Sequence, residues 1–291
     1  MLLYGLLLCS ILSTTIYSTL NSRFSRTVMK GQGDFYLFNT IVSVPAAILF
    51  LILSRGLQMI SLYTVLIGIV FAVMTMGSQF ATIKAMHCGP MSYTVMFSSC
   101  GMIIPAVAGV LFWRENFSWL QALGAAVLVV SFVTGANFKK HQNITLKWLC
   151  YALVLFLCAG LVGIVQKIHQ SSAYKNELFS LLFVNFAIMG VLSFLLYLRE
   201  RKRRPEAEVF RVKGKILAGC ILIGILVAFS NAANLFLSGK MASMFFFPAV
   251  NGGSTVLCGL ISYFFLKEKL DRTQLISFGV GIIGLVCLGI G

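Results

Sequence analysis

Four amide side chains stand inside apolar stretches of this chain: Gln79, Asn231, Asn234 and Asn251. An amide offers two donor and two acceptor sites, which side-chain packing rarely satisfies in full. In apolar surroundings such groups point to recognition of a polar solute by hydrogen bonding, with no covalent step. Gly224, Asn231, Asn234 and Ser238 follow at intervals of seven, three and four, which is one face of a helix. Thr75, Ser78, Gln79 and Thr82 form a similar stripe. A third is Thr94, Ser98, Gly101 and Pro105, and a fourth is Asn251, Ser254, Thr255 and Cys258 after Pro248. Small and hydroxylic residues also serve as glue between helices, each interhelical hydrogen bond contributing about 0.6 to 2 kcal/mol. For Ser and Thr both readings stand, whereas the amides point to a cavity. The expected substrate-binding set is Thr75, Gln79, Ser98, Asn231, Asn234 and Asn251.

The charged residues support no catalytic centre. All eight acids, Asp34, Glu115, Glu177, Glu200, Glu206, Glu208, Glu268 and Asp271, lie between apolar runs or at their ends. His87, His141 and His169 do the same, so no Ser/His/acid or metal constellation sits at depth, and neither a metal nor a cofactor is expected. No GxxxxGK[ST] loop is present to bind a nucleotide. Eight cysteines make no CxxC and fall mostly in apolar runs, where Cys is a small hydrophobe. Lys84, Lys167 and Lys240 end apolar runs. A lysine there snorkels to the lipid headgroups. The sharper alternative makes Lys84 and Lys240 a cationic gate that contacts an anionic substrate group. Pro105 and Pro248 each free a carbonyl one turn back.

The elements that hold these residues follow from composition. Of 291 residues, 59% are hydrophobic and 11% charged, against roughly 25% charged in a soluble domain. Ten apolar runs lie at 2–20, 35–54, 62–85, 91–112, 119–138, 147–168, 178–198, 216–238, 243–266 and 273–290. Each is long enough to cross a bilayer, and each is continuous, as a transmembrane helix is. The first run lacks a basic leader and a cleavage site, so it reads as an uncleaved span. The net charge of +15 collects in loops, above all 199–215. It is a topology signal; no interleaved aromatics suggest nucleic-acid binding. Trp113, Trp119 and Trp148 sit at run ends, as interface anchors do.

The runs repeat. Phe112, Arg114, Glu115 and Gln121 recur as Phe265, Lys267, Glu268 and Gln274, an offset of 153 residues. The stripe Gly68, Thr75, Ser78, Thr82, Lys84 recurs as Gly224, Asn231, Asn234, Ser238, Lys240 at an offset of 156. The chain therefore reads as two five-helix repeats, 1–138 and 147–291, joined by a linker at 139–146. Ser118 with Gln121, and Asp271 with Gln274, fit the capping box, and Glu115 and Glu268 add negative charge near a helix start. These six are expected to be structural caps. Five spans per repeat invert the second half. Loop charge agrees: loops one and three hold four Lys/Arg against two in loops two and four, and in the second half the bias reverses to three against eleven. Over the whole chain, odd-numbered loops hold eighteen Lys/Arg and even-numbered loops five, which places both termini outside.

The motif Phe-x-x-(Arg/Lys)-Glu-x5-Gln before a Gly-rich final span, present in both halves, resembles the EamA-like family of the drug/metabolite transporter superfamily. The resemblance spans the whole chain. It implies an all-α inverted-repeat bundle in which spans 1–4 and 6–9 surround a central cavity, with spans 5 and 10 outside. It also implies export of amino acids, other metabolites or drugs, and cytoplasmic termini, opposite to the loop-charge count. Small multidrug antiporters of that superfamily depend on a carboxylate in the first span, where this chain has Ser13, Thr14 and Thr15. A proton-driven cation antiporter therefore fits poorly. The expectation is a secondary transporter in a bacterial inner membrane, a monomer or homodimer, exporting a small amino acid-like metabolite by facilitated diffusion or exchange. Its partners are the small-molecule substrate and the lipid bilayer. The alternatives are a sugar uptake carrier, a lipid-linked sugar flippase, or a non-transporting receptor or intramembrane enzyme.

Overall fold

A computed structural model describes residues 1–27, 29, 31–55, 60–88, 91–135, 145–203, 214–264 and 272–291. The described residues form helices and no strand. In order they are α1 (Leu2–Thr27), α2 (Gln32–Leu53), α3 (Leu62–Cys88), α4 (Met91–Cys100), α5 (Ile103–Trp113), α6 (Trp119–Gly135), α7 (Leu146–Gln170), α8 (Leu178–Arg203), α9 (Gly214–Ser238), α10 (Ser243–Phe264) and α11 (Arg272–Ile290). A 3-10 turn, Lys175–Glu177, leads into α8. Among the described residues, nine segments are long and apolar enough to span a bilayer, α4 and α5 together making one of them. Trp119–Thr134 is a shorter apolar helix.

These helices are apolar on their outer faces too. Leu66, Leu157, Val191 and Ile283 are each more than half exposed. Helices that are apolar all round belong in lipid, where every backbone group is satisfied within its own helix. The chain is an all-α, multi-pass integral membrane protein.

The 91–112 run, read from sequence as one span, is broken at Gly101–Met102 into α4 and α5. Pro105 lacks an amide N–H, and its ring excludes an ordinary turn over the carbonyl four residues back, that of Gly101. That carbonyl accepts instead from the Ile104 N–H at 3.1 Å. Pro45 and Pro248 sit within continuous helices.

The chain divides into two compact units, residues 1–72 with 172–235 and residues 73–171 with 236–291. In the first unit α2 packs along α8. Phe50 stacks on Phe179 and Phe186, at ring-centroid distances of 6.2 and 5.7 Å. Phe38 and Val42 of α2 meet Cys220 and Ile223 of α9, with Tyr17, Leu20 and Phe24 of α1 against them. Gly224 lets the α9 and α2 backbones approach closely, since a β-carbon there would lie 2.8 Å from the Val42 carbonyl oxygen. The start of α3 is held from a distance: the Ser61 N–H and hydroxyl both donate to Glu177 Oε2, at 2.9 and 2.8 Å.

In the second unit α6 packs along α11, and α5 along α10 and α7. A β-carbon on Gly124 would lie 2.7 Å from the Gly284 carbonyl oxygen, and one on Gly284 3.0 Å from that of Gly124. Further along the seam, Ser131 Oγ donates to the Ser277 carbonyl at 2.7 Å and Ser277 Oγ to the Ser131 carbonyl at 2.6 Å. Trp148 departs from its expected place at the interface. It is 2% exposed, packs with Ala85 and Ala152, and donates its Nε1–H to Thr94 Oγ1 at 3.2 Å. Burying a large ring whose one polar atom has a partner costs nothing in unmet hydrogen bonding.

Candidate functional site

The amide stripe of α9 lies in the first unit, facing α1. Ser10 Oγ donates to Asn234 Oδ1 at 2.6 Å, Ser13 Oγ donates to the Leu226 carbonyl at 3.0 Å, and Thr14 and Ser230 share a hydrogen bond of 2.5 Å. Asn231 turns its Nδ2 back onto the Val227 carbonyl of its own helix at 2.8 Å. Asn234 is thus part of the polar seam between two helices. Its Nδ2, and the Oδ1 of Asn231, have no partner among the described residues.

The other expected contacts lie in the second unit. Thr75 and Gln79 on α3 are half-buried and already engaged by neighbours. Ser98 on α4 is half-buried. Asn251 on α10 is exposed; its Nδ2 donates to the Phe247 carbonyl at 3.0 Å, which leaves its Oδ1 open. Helices α4 and α10 touch. Lys84 and Lys240 behave alike. Each ammonium lies over the ring four residues before it, Phe80 at 5.5 Å and Phe236 at 6.0 Å. A cation within about 6 Å of a ring centroid is attracted to the negative face of the ring.

The expected caps divide. Gln121 N–H donates to Ser118 Oγ at 3.1 Å, and Ser118 N–H to Gln121 Oε1 at 3.3 Å, which is a reciprocal capping box on α6. Gln274 is half-buried near the start of α11. Glu268 and Asp271 lie outside the described residues. Glu115 serves a different helix. Its Oε2 accepts the N–H of Ser243, first residue of α10, at 2.6 Å, and its Oε1 pairs with Lys167 Nζ of α7.

Lys167 is therefore buried within the protein, where snorkelling to lipid headgroups was expected. Besides Glu115 it donates to the carbonyls of Ser238 at 2.8 Å and Met241 at 3.3 Å, where α9 gives way to α10. Those carbonyls and the carboxylate replace water around the ammonium, so its burial is compensated. Three local features aim Glu115. Arg114 adopts φ 51 and ψ 38, the left-handed conformation that usually selects glycine after a helix. The Glu115 N–H then closes on the Gly109 carbonyl at 3.3 Å. Gly109 has no side chain, and a β-carbon there would collide with both Glu115 Oε2 and Ser243 Cβ. The Ser243 hydroxyl oxygen is buried in this cluster without a hydrogen-bond partner among the described residues.

Sequence reading missed this cluster because it weighed each charge against its own helix. The available signal was parity. In the ten-span order expected from the sequence, spans 4, 6 and 8 run in the same sense, and Glu115, Lys167 and Lys240, which end or follow them, fall at the same end.

Residues 146–290 match the model of the EamA-like transporter family. No curated protein matches the chain. A solved structure titled only "Crystal structure of protein" superposes on it with a TM-score of 0.75 at 14% sequence identity, covering 98% of this chain and 98% of that one. That likeness is one of fold.

Proposed function

The chain belongs to the EamA-like transporter family through residues 146–290, and from that premise we propose that it is a ten-span secondary transporter built as two inverted five-helix repeats, 1–138 and 147–291. It moves a small polar metabolite of amino acid type out across a bacterial cytoplasmic membrane. It works by alternating access, as facilitated diffusion or exchange. The repeat is supported by which helices pair: α2 with α8, α5 with α10 and α6 with α11. Each of these pairs joins counterparts from the two halves. At the offset of 153, Gly124 corresponds to Ser277 and Ser131 to Gly284, so the Gly124–Gly284 and Ser131–Ser277 contacts are one contact with the halves exchanged. The Lys84–Phe80 and Lys240–Phe236 pairs correspond at the offset of 156.

The observation that carries the substrate class is the set of half-used amides. Asn231 and Asn251 spend their donors on their own helices and keep an acceptor open, while Asn234 keeps its donor. Uncharged donors and acceptors of this kind suit a small solute whose own polar groups must be matched on leaving water. Counterflow of a panel of labelled L-amino acids and sugars into proteoliposomes tests this. The expected result is exchange of at least one amino acid, lost when Gln79, Asn231, Asn234 and Asn251 are all changed to Ala. Unchanged flux in that variant removes the site assignment, and flux of sugars alone removes the amino acid reading.

A further inference from the structure

The start of α10 holds a carboxylate in this structure, and the carboxylate is the protein's own. Two groups hold it, the Lys167 ammonium and the Ser243 N–H at 2.6 Å, and beside them lies the buried Ser243 hydroxyl, which has no hydrogen-bond partner among the described residues. Both Glu115 Oε2 and the Ser243 side chain lie against the bare α-carbon of Gly109, where a β-carbon would sit 2.7 Å from Ser243 Oγ. A helix N-terminus and an ammonium that meet on one carboxylate, with a spare hydroxyl beside them, form a carboxylate cradle. Its occupant is not part of a helix. Glu115 is presented by the short segment between α5 and α6, whose left-handed Arg114 sets the approach. An arm of this kind can withdraw without unwinding a helix, leaving Lys167 and Ser243 facing a vacant place of carboxylate size.

We propose that this cradle is a subsite for the substrate's carboxylate and that Glu115 is a built-in competitor for it. The proposal rests on the amino acid reading above for the identity of the carboxylate, but not for the existence of the cradle. While Glu115 occupies the cradle, apparent affinity is reduced by the fraction of time the cradle is open. Removing its charge therefore tightens substrate binding, whereas removing Lys167 weakens it. A purely structural ion pair gives no such opposition of sign, since losing either partner then harms the protein alike.

Two measurements test this on the full-length protein. The first is thermal unfolding of Glu115→Ala in detergent with added propionate, with propionamide as the uncharged control. A saturable rise in midpoint with propionate alone, needing roughly tenfold more propionate in the wild type and absent from the Glu115→Ala, Lys167→Met double variant, supports the cradle. No rise, or an equal rise in the double variant, overturns it. The second is the apparent KM for a transported amino acid in proteoliposomes. It falls by roughly tenfold in Glu115→Gln if the native cradle is open about a tenth of the time, and it rises in Ser243→Ala. An unchanged or raised KM in Glu115→Gln overturns the competitor role. If Glu115→Ala does not fold, Glu115→Gln takes its place in the propionate arm under the same criteria. If no amino acid is carried by the wild type while propionate still stabilises the Glu115 variant, the cradle stands and the amino acid reading fails.

Discussion

The two units of the chain hold their helices together with different polar chemistry. In the first, α1 is joined to α9 by neutral groups, Ser10 with Asn234, Ser13 with the Leu226 carbonyl and Thr14 with Ser230. In the second, α7, α10 and the segment after α5 converge on a buried ammonium and carboxylate. Both units also let a distant carboxylate hold the start of a helix, Glu177 for α3 and Glu115 for α10. The contrast teaches where the protein is brittle. A neutral pair that loses one partner leaves a dipole that can seek another acceptor. A buried ion pair that loses one partner leaves an uncompensated charge in a poorly polarisable place.

The largest expected effect follows from that contrast. Lys167→Met strands the Glu115 carboxylate and is expected to cost about 3–5 kcal/mol. Ser10→Ala removes one interhelical hydrogen bond and is expected to cost about 0.6 kcal/mol. Adding Glu115→Gln to Lys167→Met removes the stranded charge and recovers most of the loss, because neutral replacement of a buried pair is often tolerated. Thermal unfolding in one detergent, run side by side, measures all three variants. A Lys167→Met protein no less stable than Ser10→Ala breaks the comparison.

The next effect sharpens the comparison by finding where the units agree. Gly224 in the first unit and Gly124 in the second each face a carbonyl oxygen across a helix pair, with 2.8 and 2.7 Å available to a β-carbon. A methyl group at either position must push two backbones apart, at about 1–3 kcal/mol. Gly279 on α11 has nothing within 4 Å of such a carbon. There the exchange to Ala is expected to stabilise by about 0.4–1 kcal/mol, through the unfolded chain. Similar losses in Gly224→Ala and Gly124→Ala, with a gain in Gly279→Ala, confine the difference between the units to the charged cluster. A loss in Gly279→Ala contradicts the packing of α11 described above.

What the sequence made legible follows from the range of the forces involved. Apolar runs and the Ser118–Gln121 box are local properties, decided within a few residues. The parallel between Lys84 and Lys240 was visible because each stands four residues after a phenylalanine, at an offset of 156 residues. Pairing across helices was harder to see. Asn234 looked like a free amide because Ser10 lies 224 positions away in the chain, and Trp148 looked like an interface residue because nothing beside it announces Thr94. Lys167 shows the limit most clearly. Its end-of-span position is what a snorkelling lysine has. It is buried because a left-handed turn at Arg114 and a missing side chain at Gly109 deliver a carboxylate to it. Neither condition is visible from the lysine.

The smallest expected effect concerns the hydroxyl pair on the α6–α11 seam. Ser131 and Ser277 each donate to the other's backbone carbonyl. The two hydroxyl oxygens also lie 3.4 Å from each other, but each has the other residue's carbonyl as its nearer acceptor, at 2.7 and 2.6 Å, so the two bonds are chemically separate. Ser131→Ala therefore removes one bond and leaves the other intact, at a cost of about 0.6 kcal/mol, and Ser277→Ala does the same. The double variant is expected to lose the sum, with a coupling within about 0.5 kcal/mol. The α1–α9 seam supplies the contrast, because Thr14 and Ser230 share a single hydrogen bond between their hydroxyls. There the first substitution removes the whole interaction and the second adds little, so the cycle shows clear coupling. Additivity at Ser131–Ser277 and coupling at Thr14–Ser230, read from the same thermal-unfolding cycles, would establish two kinds of hydroxyl seam. Coupling of equal size in both would mean that the Ser131 and Ser277 hydroxyls bond chiefly to each other, contrary to the geometry of α6 and α11.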